Sequence, residues 1–280
     1  MKKLYFFSIL LFCFILSQIT YSQFNYPSGL LPADKDKYDA APKFDISSRG
    51  EVKSVVDFSK QFPPAGDQGR QNSCAAWAVT YVLSYLENSG KYDFSGDLKD
   101  ADLEKVYSPS FIYNYVNQGY NFGVPFEKVL NVLKNVGCVK LKDMPYDEKD
   151  FCHKPADDLI KKASVSKIKQ WYVGYSITVD NFKSSLSEGY PIIIGIAVDR
   201  NFVEAGQNYT STDPYIWKAY KEDICLDIGY HAMVITGYDD AIKAFKVLNS
   251  YGKAWGNNGY VWISYEFLPT CVKEAYVIEK

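Results

Sequence analysis

The chain has 280 residues, 47% of them hydrophobic and 23% charged, with a formal net charge of −2. That length and balance suit one large domain or two lobes sharing a cleft, and they exclude a disordered chain. No Lys/Arg-rich run stands out among the 31 basic residues, so nucleic-acid binding has no support in the composition.

The chain opens on Met1-Lys2-Lys3 and an apolar run from Leu4 to Ile19, followed by Thr20, Ser22 and Gln23. This is the pattern of a secretory signal peptide over residues 1–22, removed near Ser22. A membrane anchor of ~18 apolar residues is the competing reading, but Gln18 and Thr20 close the run early. The protein is therefore expected in the periplasm or outside the cell, with net charge −4 once Lys2 and Lys3 are gone. Residues 23–53 carry Pro27, Pro32 and Pro42 and show no period, so they read as an irregular leader or short pro-segment. The domain proper is expected over 54–280, beginning at Val55-Val56-Asp57-Phe58.

Residues 74–88 predict an amphipathic helix, with Ser73 or Asn72 as its cap and Ser89-Gly90 as its stop. Residues 93–106 read as a charged loop with some helix. Ser108-Pro109-Ser110 opens a second helix, and Val124-Pro125 a third that runs to Gly137. Strands dominate the second half. Pro191 to Val198 is one apolar run, His231 to Gly237 pairs with Ala244 to Leu248 as a hairpin, and Tyr260 to Tyr265 follows. Helices first and antiparallel strands later make the fold class α+β, in two lobes.

Cys74 stands where a helix begins, a place whose free N–H groups and dipole favour a thiolate. A plain buried cysteine is the ordinary alternative. His231 starts an apolar strand and can serve as general base if the fold brings it to the thiol. The other histidine of the exported chain, His153, lies in a loop with no orienting partner in sight. Asn249, after Phe245-Lys246-Val247-Leu248, can accept from the imidazole and fix its tautomer, or can simply serve a turn. Trp255 can shield that hydrogen bond from water or fill a core. Gln68, six residues before Cys74, can join the Cys74 N–H in a hole for a tetrahedral oxyanion.

Five cysteines remain after Cys13: Cys74, Cys138, Cys152, Cys225 and Cys271. An odd count in an exported chain suggests two disulfides and one reactive thiol, and pairs Cys138–Cys152 and Cys225–Cys271 would spare Cys74. Five reduced cysteines is the alternative. No C-x-x-C or H-x-x-x-H spacing occurs, so no metal and no cofactor is expected. Asn208-Tyr209-Thr210 matches a glycosylation sequon, a short pattern common by chance.

Together these segments resemble the papain family of cysteine peptidases, from about residue 54 to 280. Gln68-Gly69 to Cys74 is similar to the family's oxyanion glutamine and nucleophile, Tyr230-His231-Ala232 to its histidine segment, and Asn249-Ser250-Tyr251-Gly252 to its asparagine segment. Met144-Pro145-Tyr146 is similar to a Tyr-Pro-Tyr element, and Cys225 and Cys271 fall where a family disulfide flanks the histidine and asparagine. The resemblance implies a helical lobe carrying Cys74 and a β-barrel-like lobe carrying His231 and Asn249, with the active site in the cleft. It implies hydrolysis of protein or peptide substrates through a thioester. It also implies that Gly123 binds the substrate backbone, and that Val124, Pro125, Gly195 and Ala232 line a pocket for a bulky apolar side chain. A non-catalytic binding protein on this scaffold and a thiol acyltransferase are the alternative functions. The chain departs from the pattern in Ala75-Ala76-Trp77, where tryptophan usually follows the cysteine directly, and in Tyr251, where tryptophan is usual. It has Phe122-Gly123 for a glycine pair, lacks the early cysteine pair, and has a leader shorter than the family's inhibitory prodomain.

Overall fold

A computed structural model describes residues 29–45, 50–94, 96–174, 176–210, 214–219 and 229–280. The signal peptide expected at 1–22 lies outside these residues.

The leader forms α1 (Lys35–Ala40) and leads to β1 (Val55–Asp57). Three helices follow, α2 (Cys74–Asn88), α3 (Pro109–Val116) and α4 (Phe126–Asn135). Serine and proline set the start of α3. The Ser108 hydroxyl accepts from Phe111 N, with Pro109 at the first helical position where no N–H is needed. α5 (Asp157–Ala163), β2 (Gln170–Val173), α6 (Val179–Ser187), β3 (Ile192–Val198) and α7 (Arg200–Gln207) continue the chain. The sheet is completed by β4 (Ile216–Trp217), β5 (Gly229–Asp239), β6 (Ala244–Leu248), β7 (Tyr260–Ser264) and, after α8 (Leu268–Cys271), β8 (Val272–Glu279).

The strand order is β2-β8-β3-β5-β6-β7-β4, with β1 paired to β5. Every pairing is antiparallel except β4 with β7. Among the described residues the sheet is an open path rather than a closed barrel, a correction to the barrel-like lobe expected from the sequence. The two-lobed α+β arrangement holds. One hydrophobic cluster packs α2, α3 and α4 with Ile193, Val234 and Leu248, and a second gathers Ile194, Ile235, Phe245 and Trp255 on the sheet side.

α2 differs from its amphipathic expectation. Only Leu86 and Glu87 of its fifteen residues escape full burial, because α3 and α4 flank it and β5 packs against it. Its polar residues are satisfied within the helix, with Thr80 Oγ1 donating to Ala76 O, Ser84 Oγ to Thr80 O and Asn88 Nδ2 to Ser84 O.

The expected Cys138–Cys152 bridge is not formed. Cys138 is a buried free thiol that donates to Ser108 O at 3.5 Å, and Cys152 is an exposed one beside Gly119 O. Two extensive apolar clusters supply the stability that staples give to small secreted domains. Cys271 is also free and buried, and its expected partner Cys225 lies outside the described residues. No group of three or more His, Cys, Asp or Glu is placed to hold a metal ion, and no helix is long and apolar enough to cross a membrane, among the described residues.

Candidate active site

Cys74 is the first residue of α2, whose N-cap is Ser73. The Ser73 side chain does not cap the helix but meets the Tyr146 hydroxyl at 2.8 Å. Tyr146 also donates to Gln68 O at 2.9 Å, so one phenol ties the loop before the helix to the helix itself. Gly66 in that loop has no room for a side chain, since a Cβ would run into the Trp77 ring.

The loop is laced to the sheet side. Gln68 N donates to Ser250 O at 2.9 Å, Gly252 N donates to Gly66 O at 2.9 Å, and Asp67 and Tyr251 form an antiparallel bridge. Gln68 is wholly buried, and its amide is engaged at both ends. Nε2 donates to Gln71 O at 2.9 Å, and Oε1 accepts from the Ser250 hydroxyl at 2.6 Å. Sequence reasoning missed Ser250, although its place directly after Asn249 was the available signal.

His231 and Asn249 lie on adjacent strand segments, His231 in β5 and Asn249 just past β6. Nε2 of the imidazole meets Asn249 Oδ1 at 2.7 Å. Oδ1 also accepts from Ser250 N at 2.7 Å, which fixes it as the acceptor face of the amide. Nε2 must then carry the proton, leaving Nδ1 as the basic nitrogen. Nδ1 is buried with no hydrogen-bond partner. Tyr251 stacks on the imidazole at 4.5 Å between centroids and 28° between planes. Trp255 stands behind it, edge-on to Tyr251 at 5.7 Å, and its Nε1 donates to Val203 O. The ring lying on the imidazole is thus Tyr251, and Trp255 packs behind it in the sheet-side cluster. His153 is exposed and pairs with Asp150 at 2.6 Å.

The leader enters the cleft. Leu30 N donates to Tyr230 O at 3.3 Å, Val124 N to Gly29 O at 3.0 Å, and Leu31 N to Val124 O at 3.4 Å, so Leu30 runs parallel to Val124 as a strap. Leu30 is 3% exposed and joins Val124 and Ala232 in the helical-lobe cluster. A Cβ on Gly195 would come within 2.7 Å of Leu30 Cδ2, and one on Gly123 within 2.6 Å of Gly29 O. Four of the five residues expected to form a substrate groove therefore surround this strap: Gly123, Val124, Gly195 and Ala232. Pro125 follows Val124 as the N-cap of α4, partly buried. Beyond the cleft, the Tyr38 hydroxyl bonds the Ala275 backbone and Phe44 N donates to Val173 O, so α1 and its flanks are moored on β8 and β2.

The backbone of Gly29, in the strap, lies beside the thiol. Cys74 is fully buried, and burial pushes its pKa up to about 11, against the pull of the backbone of Ala232, Gly29 and Ala75 beside the sulfur. Burial likewise lowers His231 to about 4, opposed by the Asn249 hydrogen bond. The sequence alone suggested a thiolate at the helix start. In this covered cleft desolvation exceeds the helix contribution, and both groups are neutral at pH 7.

Known proteins share this fold. The chain is 27% identical over 210 residues to an uncharacterized peptidase C1-like protein of Acanthamoeba polyphaga mimivirus, covering 72% of this chain and 64% of that one. It is 28% identical over 213 residues to the gamete and mating-type specific protein A of Dictyostelium discoideum, covering 75% and 42%. The chain thus spans less than two thirds of the length of these two relatives. A cathepsin B-like protein, CP2, of Giardia intestinalis is 25% identical, covering 83% of this chain and 76% of its own. Among solved structures, xylellain, a cysteine protease from Xylella fastidiosa, superposes with a TM-score of 0.74 at 23% identity, covering 90% of this chain and 96% of its own. The family model for papain family cysteine proteases matches residues 54–278. With the model spanning most of its length and the fold in agreement, the chain belongs to the papain family of cysteine proteases.

Proposed function

We propose that this protein is an exported cysteine peptidase that hydrolyses peptide bonds through Cys74, His231, Asn249 and Gln68. The observation that carries the reading is the buried imidazole with Nε2 held by Asn249 and Nδ1 left unpaired. A basic nitrogen kept without a partner costs free energy in a core and suits proton transfer.

In this reading Nδ1 of His231 takes the Cys74 proton as sulfur attacks the substrate carbonyl. The oxyanion is met by the Cys74 N–H and the Gln68 amide. The imidazolium then protonates the departing amine, and a thioester remains on Cys74. Nδ1 next removes a proton from water, which attacks the thioester and restores the thiol. Asn249 holds the ring in the tautomer that both steps need, while Tyr251 keeps water from the Nε2 bond. Gly123 presents its backbone to the substrate, and Val124, Pro125, Gly195 and Ala232 form the side-chain pocket. Substrate can reach the sulfur only when the strap at Gly29–Leu31 has left, so the described form is latent.

The test is cleavage of a fluorogenic peptide library under reducing conditions by the full chain carrying Leu30→Asp, beside the same chain with Cys74→Ala. Hydrolysis lost with the thiol supports the reading. Transfer to an added amine in excess of hydrolysis would make the protein an acyltransferase. No turnover, with Cys74 no more readily alkylated than an ordinary thiol near neutral pH, would make the scaffold a binder.

A further inference from the structure

The hydroxyl of Tyr146 reaches three residues of the loop that leads into α2. It donates to Gln68 O at 2.9 Å and to Gln71 Oε1 at 3.1 Å, and it meets Ser73 Oγ at 2.8 Å. A phenol has one proton, and the two carbonyl oxygens can only accept. The proton is therefore shared between Gln68 and Gln71, and the Ser73 hydroxyl is left as the donor to the phenol oxygen. Burial raises the pKa of Tyr146, so the phenol keeps that proton through the neutral range. Its three partners are all wholly buried.

The phenol is itself firmly mounted. Ser108, the cap of α3, donates its hydroxyl to Met144 O at 2.6 Å, and Trp77 of α2 packs edge-on to the Tyr146 ring, 4.7 Å between centroids and 63° between planes. Gln71 Nε2 closes the far side on Asp147 O and Glu148 O, both at 3.3 Å. Gln68 carries one of the two donors assigned to the oxyanion, and the carbonyl of Ser73 belongs to the same peptide group as the other, the Cys74 N–H. We propose that Tyr146 is a positioning residue for the oxyanion hole, its single hydroxyl fixing the Gln68 amide and the Cys74 N–H relative to each other without touching substrate. The inference rests on the peptidase reading and deepens it. One oxyanion donor is worth ~10²–10³ in turnover, and a displacement of a fraction of an ångström forfeits part of that.

The experiment places Tyr146→Phe, which keeps the ring and removes the hydroxyl, in the full chain carrying Leu30→Asp. Three quantities are read beside the parent: peptide turnover, affinity for a peptide aldehyde, and the rate of Cys74 alkylation by iodoacetamide. The aldehyde forms a tetrahedral adduct on the sulfur, its oxygen lying where the oxyanion develops, whereas alkylation displaces iodide and develops no oxyanion. Tyr146→Phe should lower kcat by about thirtyfold with KM changed less than about threefold, and weaken the aldehyde by a similar factor. Alkylation should stay within about twofold of the parent. Ser73→Ala should show the same pattern in smaller measure and add little on top of Tyr146→Phe, since both act through one phenol. Turnover within about threefold of the parent, or an unchanged aldehyde affinity, overturns the inference. So does alkylation that falls as far as turnover, which would show a hydroxyl that merely keeps the thiol in place. If Tyr146→Phe does not fold, Ser73→Ala decides by the same three readings. If no form cleaves any peptide, the peptidase reading has failed separately, and the aldehyde then decides, equal or undetectable affinities counting against a positioning role.

Discussion

Residues 74–88 and residues 29–45 meet at the same sulfur but are held there by different physics. α2 is a continuous helix buried on almost every side, closed by its own backbone and by Thr80, Ser84 and Asn88 bonding back one turn. The leader has one short helix with no buried residue, and its bonds go to Tyr230, Val124, Glu274, Ala275 and Val173, some of them more than 200 positions away. The helix is thus part of the global fold, whereas the strap can open locally at a fraction of the global cost. In the proposed mechanism a sturdy helix fixes the nucleophile, and a segment held by distant contacts decides whether anything reaches it.

The largest effect expected tests the helix half of that contrast. In the Leu30→Asp chain, Cys74→Ala should lower peptide hydrolysis by ~10⁴ or more, as loss of a nucleophile does elsewhere. The fold should survive, because a small apolar residue fits the same place, and circular dichroism with a melting curve would check it. Residual turnover within about tenfold of the parent would mean that the chemistry resides elsewhere.

The strap half is tested by Leu30→Asp itself. Leu30 contributes ~1.5–3 kcal/mol by burial, and an aspartate there would face the Glu274 carboxylate. Alkylation of Cys74 by iodoacetamide at pH 7.5 should accelerate by ~10² relative to wild type. Leu31→Asp, on the half-exposed neighbour at 48% exposure, is the control and should change the rate little. Equal acceleration by both would show that the strap is held by its backbone and moorings alone.

These two segments also mark what the sequence could and could not tell. The bounds of α2 were legible because helical order is local: capping residues, apolar recurrence and Ser89-Gly90 lie within one stretch. Strand β3, the β5–β6 hairpin and β7 were legible as apolar runs bounded by turns. The strap was not, since Pro32, Pro42 and the absence of a period carry no local signal, and the bonds that moor it go to partners distant in sequence. α6, α7, β2 and β8 went unread for a related reason. They are short, or mix charge with apolar residues, as Lys273-Glu274 does inside β8. At the candidate site, Cys74, His231, Asn249 and Gln68 were singled out by residue type and order. Tyr251 and Ser250 were passed over because their roles, stacking on the imidazole and bonding the Gln68 amide, exist only in three dimensions.

A pH series sharpens the comparison by reading the covered cleft directly. His231 sits at about 4 here against an ordinary 6.5, so the closed form loses stability as pH falls from 6.5 toward 4. Cys74 sits at about 11 against an ordinary 9.0, so the closed form loses stability as pH rises from 9 toward 11. The wild-type melting temperature should therefore hold between about pH 6.5 and 9 and fall on either side. Cys74→Ala should reduce the alkaline fall, to which the buried Cys138 and Cys271 thiols and buried tyrosines also contribute, and leave the acid one. A mutant curve that tracks the wild type to pH 11 would show that the thiol is not buried in solution.

The smallest effect expected concerns the seam between the two regions. Gln68 belongs to the loop that leads into α2, yet its carbonyl end is held by the Ser250 hydroxyl from the sheet side. With Oε1 occupied in this way, Nε2 is the end turned toward Gln71 O and the helix start, and the amide cannot reverse without losing both bonds. Ser250→Ala removes the donor that sets this orientation while leaving the Gln68 N to Ser250 O backbone bond intact. In the Leu30→Asp chain it should lower kcat by about tenfold with KM nearly unchanged, a partial version of losing one oxyanion donor. Ser250→Thr, which keeps the hydroxyl, should recover most of that loss. If Ser250→Ala instead raises KM at constant kcat, the hydroxyl holds the lobes together rather than the amide in place, and Gln68 is oriented by Gln71 alone.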